Sequence, residues 1–199
     1  MDVALIDSGG TNIGSVRYAL ERLGASAHLT SDPEAIRRAD RVILPGVGAA
    51  APGMARLREL GLVDVVRSLR QPLLGVCLGM QLLFESSEEG DVECLGVLPG
   101  RVRRIPNAPG IRVPHMGWNA LQPRGDDPLL AGIDAGEQAY FVHSYAAPVT
   151  SDTLVTSTHG IEFAAVVRRG NRHGAQFHPE RSASVGARLL ENFLSGVAA

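Results

Sequence analysis

A thiol that attacks, an imidazole that carries its proton and a carboxylate that fixes the imidazole tautomer together perform acyl transfer. This chain carries all three in two short segments. Gly75-Val76-Cys77-Leu78-Gly79 follows an apolar run and precedes a helical pattern. That places Cys77 at a sharp strand-to-helix turn, the geometry of a nucleophile elbow with sulfur in place of the usual serine oxygen. The flanking glycines let the backbone turn and remove side chains that would clash. The helix start behind the sulfur offers N–H groups and a positive dipole end, which favour thiolate and can hold an oxyanion. A buried structural cysteine gives the same local pattern.

Phe177-His178-Pro179-Glu180 offers the other two groups. His178 follows an apolar strand, Glu180 can return to the unused ring nitrogen, and the proline between them restricts the backbone. A surface loop or a partial metal site would read the same way. One histidine and one carboxylate are too few for zinc, and Cys77 and Cys94 form no CxxC pair, so neither a metal nor a cofactor is expected.

The elements that must position these groups alternate as βα units, the pattern of a parallel sheet. Strands are predicted at 3–6, 26–29, 41–44 and 73–76. Ile13, Val16, Ala19, Leu20 and Leu23 mark a helix that Gly24 stops, and Asp32-Pro33-Glu34 reads as a capped helix start. A helical stretch from about 54 to 69, interrupted at Gly61, precedes the fourth strand, and a helix over 78–85 follows it. Shorter strands are expected at 101–105, 111–113, 140–145, 154–157, 162–167 and 173–177. A closing helix at 182–194 has Val185, Leu189, Leu190 and Phe193 on its inner face. The pattern predicts a single α/β domain over residues 1–199 with a strand-rich insertion.

Composition narrows the chemistry. The chain has 199 residues, 45% hydrophobic and 20% charged, which fits a globular enzyme and excludes disordered or disulfide-stapled classes. All 19 basic residues are arginine, so no lysine is present for a Schiff base or a P-loop. A net charge of −2 provides no basic field for nucleic acid or an anionic membrane. The N-terminus turns polar at once and no apolar run approaches membrane-helix length, so a cytoplasmic protein is expected.

The segments 75–81 and 176–180 resemble the two signature motifs of the class I, triad-type glutamine amidotransferases, and Pro45-Gly46-Val47-Gly48 resembles their oxyanion strand. Pro114-His115-Met116-Gly117-Trp118-Asn119 and Tyr140-Phe141-Val142-His143-Ser144-Tyr145 are similar to segments of one branch, the glutaminase subunits of imidazole glycerol phosphate synthases from histidine biosynthesis. The resemblance implies a flavodoxin-like, three-layer, parallel-rich sheet and hydrolysis of L-glutamine. Cys77 is then the nucleophile, His178 the base and Glu180 its orienting acid. The oxyanion would meet the N–H of Leu78 and one from Val47–Gly48, in a segment that is misaligned until the partner's substrate binds.

By the same resemblance Gly48, Gln81, Glu89, Ser144 and Tyr145 hold the substrate. Gln81 and Glu89 also read as ordinary polar residues, and Glu85 and Glu88 compete with Glu89 for the role. The ammonia implies a heterodimer with a separate cyclase subunit, docked on a face containing Met116, Trp118, Tyr140 and Arg181. Trp118 would otherwise be read as a core aromatic. Ser8, Thr11 and Arg181 stand where the family more often has Tyr, Gly and Lys. His115, His143, His159 and His173 are read as structural or surface residues and Cys94 as a bystander. Asp7-Ser8-Gly9-Gly10-Thr11-Asn12 also resembles the phosphate loop of actin-like sugar kinases, but the chain has no second acidic phosphate loop. A non-catalytic flavodoxin-like module and an amidotransferase serving another pathway are the remaining alternatives.

Overall fold

Runs of Val, Leu and Ile too short for helices and apolar on both sides are the mark of strands covered on both faces. In the computed structural model, which describes residues 1–9 and 13–196, they alternate with amphipathic helices. In chain order these are β1 (Asp2–Ile6), α1 (Ile13–Arg22), β2 (Ser26–Thr30), α2 (Pro33–Arg38), β3 (Arg41–Leu44), α3 (Ala50–Glu59), α4 (Val63–Ser68), β4 (Leu73–Val76) and α5 (Leu78–Gln81). Asp32 caps α2 by accepting the Glu34 N–H at 3.0 Å, as its sequence predicts. Thr11 lies outside the described residues.

The remainder is strand-rich: β5 (Ser86–Ser87), β6 (Val92–Glu93), β7 (Arg101–Arg104), β8 (His115–Ala120), β9 (Gln122–Pro123), β10 (Gln138–His143), β11 (Tyr145–Ala146), β12 (Thr153–His159), β13 (Ile161–Arg169) and β14 (Arg172–Ala175), followed by α6 (Ala183–Ser195). Eight strands form the main sheet in the order β2-β1-β3-β4-β14-β13-β12-β9. The first five strands pair in parallel and the remaining three pairings are antiparallel. Val3, Leu5 and Ile43 pack with α1 and α6 on one face, while Ala4, Ile6, Val42 and Leu44 pack with α2, α3 and α4 on the other. This is the expected three-layer α/β arrangement.

Three local expectations are corrected. The predicted helix 78–85 stops at Gln81, because the carbonyls of Leu82, Leu83 and Phe84 are taken from outside by the N–H groups of Leu95, Val97, Leu98 and Gly96. No strand forms at 111–113: Ile111 closes a turn onto the Ala108 carbonyl, and Pro114 removes a donor just beyond. The predicted strand 140–145 is two strands in different sheets. β10 pairs with β8 and β11 with β7, so Ser144 lies at the crossing between them.

Candidate active site

Parallel strands aim their carboxyl ends at one edge of a sheet, where open α/β folds place ligands. β4 and β14 are adjacent and parallel, with Val76 opposite Ala175, so the residues that follow them emerge side by side. The Cys77 N–H donates to the Ala175 carbonyl at 2.8 Å, locking the two ends together. Cys77 has φ 53° and ψ −110°, a conformation that L residues adopt only under constraint. The glycines around it supply the constraint. A Cβ on Gly79 would lie 1.8 Å from the Leu44 carbonyl oxygen, and one on Gly75 would lie 2.6 Å from that of Gly79. The elbow is packed backbone to backbone, and only glycine fits.

His178 Nδ1 donates to Glu180 Oε1 at 3.0 Å, with the side chains only 10% and 1% exposed. The same imidazole lines one cavity with Cys77. Burial by itself lowers the His178 pKa. The hydrogen bonds and opposite charge supplied by Cys77 and Glu180 outweigh it and push the pKa up to about 10. Ser182 fixes the segment: its hydroxyl donates to the His178 carbonyl at 2.7 Å and accepts the Tyr140 N–H at 2.9 Å.

A cavity of about 280 Å³ opens beside the sulfur. Its lining brings together Val47, Gly48, Cys77, Leu78, Gln81, Glu89, Ser144, Tyr145 and His178, residues drawn from five separate stretches of the sequence. Leu78 begins a helical turn, whose first N–H groups have no acceptor within the helix. Gln81 donates through Nε2 to the Tyr145 carbonyl at 2.8 Å and to Gln176 Oε1 at 2.9 Å, which leaves its Oε1 to accept from a ligand. The three candidate acids separate cleanly. Glu85 accepts the Gly100 N–H and Glu88 the Arg104 N–H, whereas Glu89 alone lines the cavity. Glu89 also accepts the Ala50 N–H at 2.9 Å at the start of α3; burial raises its pKa and that hydrogen bond draws it back.

Of the expected outer-face residues, Met116 is 64% and Trp118 53% exposed, so Trp118 is no core aromatic. Tyr140 pairs with Trp118 across the β8–β10 ribbon, with ring centroids 5.9 Å apart, and Arg181 is exposed in the turn Pro179–Arg181. Ser8 donates to the Pro45 carbonyl at 2.9 Å and so ties the loop after β1 to the segment that leads into Gly46–Gly48.

Two groups at the sulfur were not assigned a role from sequence. The buried Gln176 donates through Nε2 to Cys77 Sγ at 3.8 Å, and the Val142 carbonyl accepts from the thiol at the same distance. Gln176 stood inside the second motif, which could have flagged it. A backbone carbonyl leaves no trace in sequence.

The family model of glutamine amidotransferase class-I matches residues 4–197. The chain belongs to the class-I glutamine amidotransferases. Among similar amidotransferases, the imidazole glycerol phosphate synthase subunit HisH of Xanthomonas axonopodis pv. citri (strain 306) is 65% identical over 193 residues, covering 97% of this chain and 96% of that one. The HisH subunit of Xylella fastidiosa (strain Temecula1 / ATCC 700964) is 61% identical with the same coverage. Among solved structures, one described as a glutamine amidotransferase superposes with a TM-score of 0.75 at 25% identity, covering 98% of this chain and 99% of that one. The amidotransferase fold therefore carries the Cys77, His178 and Glu180 cluster at its sheet edge.

Proposed function

We infer that this amidotransferase hydrolyses L-glutamine and supplies the ammonia to the cyclase subunit of an imidazole glycerol phosphate synthase in histidine biosynthesis, the two chains forming a heterodimer. The observation that carries the reading is the hydrogen-bonded pair His178–Glu180 with its imidazole beside Cys77 in one cavity that also contains Gln81 and Glu89. The Cys77 sulfur attacks the side-chain carboxamide carbon while its proton rests on His178. The oxygen becomes negative and is met by the Leu78 N–H and an N–H of the Val47–Gly48 segment, one such donor being worth about 3 kcal/mol of barrier. His178 returns the proton to nitrogen, the C–N bond breaks and ammonia leaves. Water, deprotonated by His178, then cleaves the thioester to glutamate and regenerates the thiol.

Glu89 and the Gln81 carbonyl suit the substrate ammonium, and backbone N–H groups at Gly48, Ser144 and Tyr145 suit its carboxylate. The exposed pair Met116 and Trp118, with Tyr140 and Arg181, supports a docking face for the cyclase. No described helix is long and apolar enough to cross a membrane. A single cytoplasmic domain completes the reading. The test is glutamate release with and without the cyclase subunit and its phosphoribosyl substrate. Turnover is expected to rise when both are present, and Cys77→Ala is expected to abolish it while the complex still forms. Hydrolysis by the alanine variant refutes the nucleophile, and indifference to the cyclase refutes the partner.

A further inference from the structure

The inner side of the β8–β10 ribbon carries two buried imidazoles that the reaction above leaves unused. His143 Nδ1 meets the Tyr145 carbonyl at 2.8 Å, and its Nε2 meets His115 Nδ1 at 2.9 Å. His115 Nε2 in turn meets the Asn119 amide nitrogen at 3.2 Å, and that nitrogen also donates to the Thr158 carbonyl at 2.8 Å. The two ends of this chain fix every proton in it. An amide N–H from Asn119 makes His115 Nε2 an acceptor, so the His115 proton sits on Nδ1 and points at His143 Nε2. The His143 proton must then sit on its own Nδ1 and point at Tyr145.

Both rings have to be neutral, because a second proton on either would set two N–H groups against each other or against the Asn119 amide. Burial supplies that condition, lowering the pKa of His143 to about 3 and that of His115 to about 4. Ring packing holds the planes: His115 stacks on His159 with centroids 4.1 Å apart and on Phe141 at 5.0 Å. The carbonyl at the end of the relay is shared. Tyr145 O accepts from His143 and from Gln81 Nε2, and both side chains line the cavity beside Cys77.

We propose that His143, oriented by His115 and Asn119, is a positioning residue for glutamine: it holds the Tyr145 carbonyl and, through it, Gln81 and the Ser144–Tyr145 turn in the arrangement that receives the amino-acid end of the substrate. The role rests on the glutaminase reading and adds a directional requirement to it. A histidine needed only for packing could have its proton on either nitrogen. This one has its tautomer set from the far side of the ribbon so that the donor faces the group Gln81 shares.

The test uses two amide substitutions that each keep one end of the ring. His143→Asn puts an amide nitrogen near the place of Nδ1 and can still donate to Tyr145, whereas His143→Gln reaches the place of Nε2 and cannot. Glutamine hydrolysis is measured on the full chain with the cyclase and its substrate present. His143→Gln is expected to raise KM for glutamine about tenfold, the scale of one buried hydrogen bond, with kcat within about threefold. It should slow labelling of Cys77 by a glutamine-like diazoketone by a similar factor and leave alkylation by iodoacetamide, which needs no amino-acid site, unchanged. His143→Asn is expected to restore KM to within about threefold. His115→Phe, which keeps the ring stack and removes the donor to His143, should raise KM about threefold or more, and it serves where His143→Gln does not fold. The proposal is overturned if KM is unmoved, or if Asn and Gln variants lose KM, kcat and iodoacetamide reactivity alike. Wild-type turnover measured alongside separates this failure from failure of the glutaminase reading, which would overturn both.

Discussion

Replacing Glu180 by glutamine tests the electrostatic core of the site with almost no change of volume. The carboxylate sits 3.0 Å from His178 Nδ1 in a pair of side chains 10% and 1% exposed, so little water screens it. Hydrogen bonds to charged groups contribute about 1.5–3 kcal/mol, and at about 1.4 kcal/mol per decade that range is roughly a 10- to 150-fold loss of kcat. KM should move little, because Glu180 lies behind the imidazole and not among the cavity residues. The pH profile gives the sign. Burial lowers His178, but Cys77 and Glu180 raise it from 6.5 to about 10; without the carboxylate the raised value must fall. The alkaline limb of glutamine hydrolysis, read as glutamate release from about pH 6 to 10.5, is therefore expected to move to lower pH in Glu180→Gln. Stability follows the same sign. A folded-state pKa raised above 6.5 contributes stability that is full below that pH and is lost as pH rises through about 10. The gap in Tm between wild type and variant should be widest near the acid end of that window and close toward its alkaline end. A variant with kcat within about threefold of wild type and an unmoved alkaline limb would refute the reasoning.

Gly79→Ala forces a Cβ to within 1.8 Å of the Leu44 carbonyl oxygen, so calorimetry is expected to show a fall in Tm of about 5 °C or more together with loss of turnover, and an unshifted Tm would contradict the packed elbow. Gln176→Met removes the N–H that reaches the Cys77 sulfur; iodoacetamide alkylation at neutral pH should slow by about fivefold, and an unchanged rate would show that the 3.8 Å contact is idle. Trp118→Ala is expected to weaken cyclase binding by titration calorimetry roughly 10- to 100-fold while leaving the fold intact, as removal of a central aromatic does in protein interfaces. Arg181→Ala should lower ammonia transfer to the cyclase relative to glutamate release, and full transfer would remove Arg181 from the docking face.

The sheet was legible because its signals are local. Val3–Ile6, Arg41–Leu44 and Leu73–Val76 are apolar runs bounded by turn residues, and Asp32 before Pro33 declares a helix start whatever surrounds it. The elbow was legible for the same reason, since Gly75, Cys77 and Gly79 fall within five consecutive positions that read as one turn. Where tertiary partners decide, the reading failed. The run after Gln81 has helical periodicity, but the loop at 95–98 competes for its carbonyls and wins. Tyr140–Tyr145 looks like one strand because nothing in its residues says that His143 pairs with His115 while Tyr145 pairs with Arg104. Glu85, Glu88 and Glu89 are chemically equivalent in sequence, and only the fold of the insertion sends one of them to the cavity.

That misread segment is also where the site meets the surface. A strand alternates its side chains, so Met116, Trp118 and Tyr140 on one side of the ribbon oblige His115, Phe141 and His143 to the other, and a slip of one residue would exchange the two sets. The backbone of Tyr140 is held at both ends by the imidazole's own segment, its N–H by the Ser182 hydroxyl and its carbonyl by the His178 N–H at 3.0 Å. The same strand ends at Val142, whose carbonyl touches the Cys77 sulfur, and at His143, which holds Tyr145. A partner pressing on the outer aromatics would therefore bear on a strand bonded to the His178 segment, to Cys77 and to Tyr145 at once. The pleat cannot move one without the others, which is a physical reason for the proposed docking face and the proposed glutamine site to share a single two-stranded ribbon.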